Sequence, residues 1–142
     1  MEFDHIGVIV EDLAGGRVLL REAFRIRQWT IEFRDWQIGV AVQFGRDNSG
    51  ICYEIVAPLS DSSPVSRALR DRVHTLNHVA YRVSDLSGAA RRLIDSSFIP
   101  LGAPISAIAF DNAPIQFFLS ENRLLFELIE APAHRHAYTQ HL

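Results

Sequence analysis

Two histidines and two glutamates stand at matched positions in this chain. His5 and Glu54 are 49 residues apart, His78 and Glu127 are also 49 apart, and the second pair follows the first at an offset of 73. Imidazole nitrogen and carboxylate oxygen are donors that a borderline divalent cation takes. The same offset carries Phe3-Asp4-His5-Ile6 onto Leu76-Asn77-His78-Val79 and Val10-Glu11-Asp12-Leu13 onto Val83-Ser84-Asp85-Leu86. It also carries Val42-Gln43-Phe44 onto Ile115-Gln116-Phe117, and Tyr53-Glu54-Ile55 onto Phe126-Glu127-Leu128. A lone histidine at a strand start is ordinarily a satisfied side chain, and a lone glutamate in an edge strand is ordinarily solvated. Four such residues inside repeated apolar strands point instead to one metal site, since a charge in an apolar run is costly unless a cation or partner meets it.

The elements that must position them follow from pattern. Phe3–Val10 is β-rich, and Asp12 caps a helix over about 13–25, where Leu13, Val18, Leu19 and Phe24 recur at helical spacing. Strands are expected at Arg27–Phe33 and Ile38–Phe44, and Arg46–Gly50 turns the latter into Ile51–Val56. The second module repeats the order: strand 76–83, helix about 86–97, a strand near 99–101, then 115–119 and 124–130. The expectation is a single domain over 1–142. Module 1 takes about 3–58, a linker with a short helix of about 64–72 takes 59–75, and module 2 takes about 76–132. The tail 133–142 has no periodic apolar pattern and is expected to be mobile; its His134, His136 and His141 are not expected to build a site.

Alternation along a strand puts His5 with Gly7 and Ile9, and Glu54 with Cys52 and Val56. His78 falls with Ala80 and Arg82, and Glu127 with Leu125 and Ile129. These faces are read as the wall of a cavity, with the helices on the opposite face. Gln43 and Gln116 interrupt apolar strands; with their apolar neighbours assigned to the helices, both are candidates to face the cavity as substrate hydrogen-bonders, with solvent exposure on edge strands as the equal alternative. Arg82, on the His78 face, is a candidate for a substrate carboxylate, with a structural ion pair as the alternative. Cys52 reads as a small packed thiol.

Composition narrows the class. A chain of 142 residues, 48% hydrophobic and 22% charged, has an ordinary globular balance. A net charge of −3 gives no electrostatic reason to expect nucleic acid or an anionic membrane. All 14 basic residues are arginines, which removes Schiff-base chemistry. One cysteine excludes an intrachain disulfide, and no apolar run approaches the roughly 20 residues of a membrane span. A cytoplasmic, soluble protein is the expectation.

Several segments resemble the vicinal oxygen chelate superfamily, and most closely its methylmalonyl-CoA epimerases. They are Asp4-His5-Ile6-Gly7-Val8, Tyr53–Leu59 followed by Asp61–Val65, Leu76–Leu86, and Phe126-Glu127-Leu128-Ile129-Glu130. The resemblance covers roughly residues 3–132. It implies an α+β fold of two βαβββ modules forming a cupped mixed sheet around a central metal cavity, helices outside. It implies His5, Glu54, His78 and Glu127 as ligands of one divalent metal (Zn, Ni, Co, Mn or Fe(II)), and a homodimer. The activity it implies is an epimerase or isomerase moving a proton next to a carbonyl through a metal-stabilised enolate. Glu54 and Glu127 would be the catalytic carboxylates and a small carbonyl compound or thioester the substrate. A glyoxalase I-like lyase is the nearest alternative. An extradiol dioxygenase would use two histidines and one carboxylate, which Glu54 argues against, and non-catalytic drug-binding members typically lack the ligand set.

Overall fold

The computed structural model describes residues 1–71 and 76–142. Strands and helices follow in the order β1 (Glu2–Ile9), α1 (Leu13–Phe24), β2 (Gln28–Trp29), β3 (Phe33–Asp35), β4 (Val40–Arg46), β5 (Cys52–Pro58) and α2 (Ser66–Asp71). The second half runs β6 (Leu76–Arg82), α3 (Leu86–Asp95), β7 (Ile99–Pro100), β8 (Ile105–Ala107), β9 (Ala113–Leu119), β10 (Leu125–Ile129) and β11 (Gln140–His141), with a 3₁₀ turn at Ile108–Phe110. This is an α+β fold of mixed sheet with few helices, as expected. The expected linker 59–75 and its helix of about 64–72 run into residues that lie outside the described ones.

The chain divides into two compact units, and their boundaries differ from the expected modules. One unit holds His5–Asn77 together with Arg135–Leu142; the other holds Met1–Asp4 together with His78–His134. Each unit thus takes its last piece from the far end of the chain.

In the first unit the strand order is β11-β2-β4-β5-β1, with β3 also on β4. β1 and β5 run parallel, Gly7 opposite Glu54, and β4 and β5 form an antiparallel hairpin with Phe44 opposite Glu54. One face buries Val8, Val10, Ala41, Ile55 and Ala57 with Leu13 and Leu20 of α1. α1 begins because Asp12 accepts from the Gly15 N–H at 2.7 Å, and it ends where Arg25 turns left-handed at φ 59°. The strand expected over Arg27–Phe33 is broken at Thr30. Its N–H bonds Phe44 O, and its hydroxyl accepts from the Phe44 N–H, so β2 and β3 both lie along β4. Gly45 leaves room for that crowding, since a Cβ there would stand 2.7 Å from Ile26 and the Trp29 ring.

The tail expected to be mobile supplies a strand to this unit. β11 pairs antiparallel with β2, and the Leu142 N–H donates to Arg27 O.

The second unit repeats the plan in the order β6-β10-β9-β7, with β8 also on β9. β10 runs parallel to β6, Glu127 opposite Ala80, and antiparallel to β9, Glu127 opposite Phe117. Val83, Leu86, Ala89, Phe118 and Leu128 form its helix-side core. Asp85 caps α3 through the Gly88 N–H, as Asp12 does with Gly15 one offset earlier. Among the described residues no helix is long and apolar enough to cross a membrane.

Candidate functional site

Each unit buries one histidine–glutamate pair. In the first, His5 on β1 and Glu54 on β5 are 0% and 7% exposed, with His5 Nε2 at 3.2 Å from a Glu54 carboxylate oxygen. In the second, His78 on β6 and Glu127 on β10 are 6% and 3% exposed, and the same two atom types stand 3.1 Å apart. The environment repeats as well. The Phe44 ring meets His5 edge-on at 5.3 Å, and the Phe117 ring meets His78 edge-on at 5.3 Å. The residues opposite the two glutamates in the parallel pairing, Gly7 and Ala80, are both small.

The donor set fits a divalent metal. For bonds of about 2.0–2.1 Å and angles between octahedral and tetrahedral, neighbouring ligand atoms sit about 2.9–3.4 Å apart, which brackets both separations. A charge-assisted hydrogen bond draws its atoms closer, to about 2.7–2.9 Å. All four residues are candidate metal ligands by chemistry and burial.

The structure corrects the substrate-binding residues. Gln43 stands opposite Ile55 and Gln116 opposite Leu128, both on the helix-side face, whereas Phe44 and Phe117 share the face of the glutamates. Gln43 is buried, accepting from Arg17 at 2.7 Å and donating to Thr30 O at 2.7 Å. Gln116 donates to Gly102 O. The physical reason is that the neighbouring apolar residues are not all helix-facing: Phe44 and Phe117 lie on the glutamate faces and pack edge-on against His5 and His78. Arg82 does lie on the His78 face, but its guanidinium is committed. It donates to Pro132 O and His134 O, and lies 3.2 Å from Glu2 and 3.0 Å from Asp4, the last an ionic contact without hydrogen-bond geometry. These contacts are those of the structural ion pair, the alternative reading of Arg82.

One residue near the first pair was not expected there. His136 stacks on the Phe44 ring at 4.2 Å and 24°, and one of its ring nitrogens comes within 4.8 Å of one of His5. The available signal was the alternation His134-x-His136-x-Tyr138, whose even-numbered residues are half-buried while Arg135, Ala137 and Thr139 are exposed.

Residues 4–117 match the family model of the glyoxalase/bleomycin resistance protein/dioxygenase superfamily. The chain belongs to that superfamily, the vicinal oxygen chelate proteins. No curated protein matches it in sequence. Among solved structures, methylmalonyl-CoA epimerase from Mycobacterium tuberculosis is similar with a TM-score of 0.75 at 23% identity, over 90% of this chain and 86% of that one. A hypothetical protein from Bacillus halodurans C-125 is similar at 0.80 and 18% identity, covering 96% and 98%. A variant of Streptomyces coelicolor methylmalonyl-CoA epimerase in complex with 2-nitronate-propionyl-CoA is similar at 0.77 and 19%, covering 96% and 99%. At these identities the likeness is one of fold, and it is a superfamily fold.

Proposed function

We propose that this superfamily member is a metal-dependent epimerase or isomerase that moves a proton on the carbon beside a carbonyl. The observation that carries the reading is the duplicated, buried His–Glu pair at ligand-to-ligand spacing. In this reading His5, Glu54, His78 and Glu127 hold one divalent ion, drawn from Zn, Ni, Co, Mn and Fe(II). When bound, such an ion supplies Lewis-acid stabilisation of negative charge developing on a carbonyl oxygen. The chain's own work is to hold and move the proton. A Glu54 or Glu127 carboxylate oxygen takes it from the α-carbon and returns it to the other face or to the neighbouring carbon. His5 and His78 are poor candidates for that role, because a ligating imidazole has no free lone pair. Burial beside Phe44 and Phe117 limits water around the carbanion while the proton is away.

A small carbonyl compound or a thioester is the substrate class. The methylmalonyl-CoA epimerases among the structural neighbours favour the thioester, and a homodimer is the proposed assembly. Elemental analysis of purified protein is expected to give one divalent metal per chain. Metal-loaded protein is expected to exchange deuterium into methylmalonyl-CoA or into the hemithioacetal of methylglyoxal. Glu54→Gln and Glu127→Gln are expected to slow that exchange by about 10²–10⁴-fold, the usual worth of a positioned acid–base group. Metal-loaded protein that exchanges neither substrate would overturn the reading. The two substrates separate the epimerase from a glyoxalase-like lyase.

A further inference from the structure

The metal-side face of the first unit is not open along its length, and what covers it comes from the far end of the chain. β4 presents Phe44 and Arg46 on the Glu54 face, because Phe44 stands opposite Glu54 and Arg46 opposite Cys52. Each of the two carries a tail side chain. His136 lies flat on Phe44, and the Arg46 guanidinium sits 4.6 Å from the Tyr138 ring centroid. The Arg46 guanidinium is itself steadied by Gln28 Oε1 at 2.7 Å. The segment is then anchored by β11 on β2 and by the Leu142 N–H on Arg27 O. Hydrogen bonds hold its end, two ring contacts hold its middle, and its alternating burial turns His136 and Tyr138 inward.

We propose that Arg135–Leu142 is a strap across this face and that His136 and Tyr138 set the size of what reaches His5 and Glu54. The proposal rests on the reading that this face is the functional one. His136 acts here by occupying space on Phe44 beside His5, a specificity-determining role that needs its flat ring rather than its nitrogens. Bulky ligands are excluded while the strap lies closed, and small ones pass.

The single thiol of the chain reports on this directly. Cys52 is buried on the Glu54 face, two residues from Glu54 and opposite Arg46. Its thiolate attacks a disulfide or thiosulfonate reagent and displaces the leaving thiolate or sulfinate. Its rate with a bulky anionic disulfide (5,5′-dithiobis-2-nitrobenzoate) and with a small neutral reagent (methyl methanethiosulfonate) can therefore be compared, each normalised to the unfolded chain. In the full chain the bulky reagent is expected to be disfavoured at least tenfold relative to the small one. Removing residues 135–142 should collapse that ratio to within twofold of unity. His136→Ala and Tyr138→Ala should each lower it several-fold, while His136→Phe, which keeps the flat ring, should preserve it.

A folded truncated protein with an unchanged ratio overturns the strap. If the truncated chain does not fold, an unchanged ratio in both alanine variants overturns it equally. Loss of discrimination in His136→Phe would overturn the assignment of His136 to ring packing. None of these arms needs metal or turnover, so they fail separately from the elemental analysis and exchange assays that test the metal-dependent reading.

Discussion

The rings behind the histidines are the residue-scale feature that ties packing to chemistry. Phe44 is fully buried, meets His5 at its edge and carries His136 on its face. Phe44→Ala is expected to destabilise the protein by about 3–5 kcal/mol, as large aromatic deletions in cores do. On the proposed reading it should also weaken metal binding, because His5 loses the ring packed against it; isothermal denaturation and metal titration would measure the two effects. A second residue acts through protonation. Burial would raise the Asp47 carboxyl, but hydrogen bonds from the Ser49 hydroxyl and the backbone N–H groups of Ile51, Ser49 and Gly50 outweigh it and hold Asp47 below its ordinary 3.8. A carboxyl lowered on folding contributes stability above its unfolded value and loses it as pH falls through the folded one. The stability gap between the parent and Asp47→Ala should therefore be largest above pH 3.8 and shrink on acidification. Denaturant melts across that range would show it, and a constant gap would remove the electrostatic part. The ligand candidates were legible at this scale because a repeat marks them twice. The face of Gln43 and Gln116 was not, because it depends on the pairing 44 with 54 and 117 with 127, which hairpin geometry sets and hydrophobicity does not.

At the scale of elements, the two modules share their starts more closely than their middles. Asp12 and Asp85 cap α1 and α3 through glycines at the same spacing; α1 was legible from its cap and periodicity, and α3 from the repeat of the module order. Asp12→Ala and Asp85→Ala are each expected to cost about 1 kcal/mol. Since they cap helices in different units, the double variant should lose about the sum, which urea denaturation would measure. The breaking of the 27–33 strand at Thr30 was not legible. It follows from Thr30 bonding both backbone groups of Phe44 and from Gly45 admitting the Trp29 ring, contacts that involve residues distant in sequence. β11 escaped notice for a similar reason. Its Gln140-His141 pair has no strand propensity of note, and its place is fixed by the partner strand rather than by its own residues.

For the molecule as a whole, the 73-residue echo made the duplication legible and the resemblance of four segments made superfamily and fold class legible, while the boundaries of the compact units were not. Met1–Asp4 belongs with the second module, where Arg82 binds Glu2 and Asp4 and Phe3 packs on Tyr81. Arg135–Leu142 belongs with the first. That exchange has a consequence for the order in which the protein comes into being. The first module leaves the ribosome early, yet the segment that covers its Phe44 wall is made about 90 residues later, roughly 5–20 seconds at ordinary synthesis rates. During that interval His5 and Glu54 stand in a nascent module whose face has no strap. The half that is translated first is the half that is finished last.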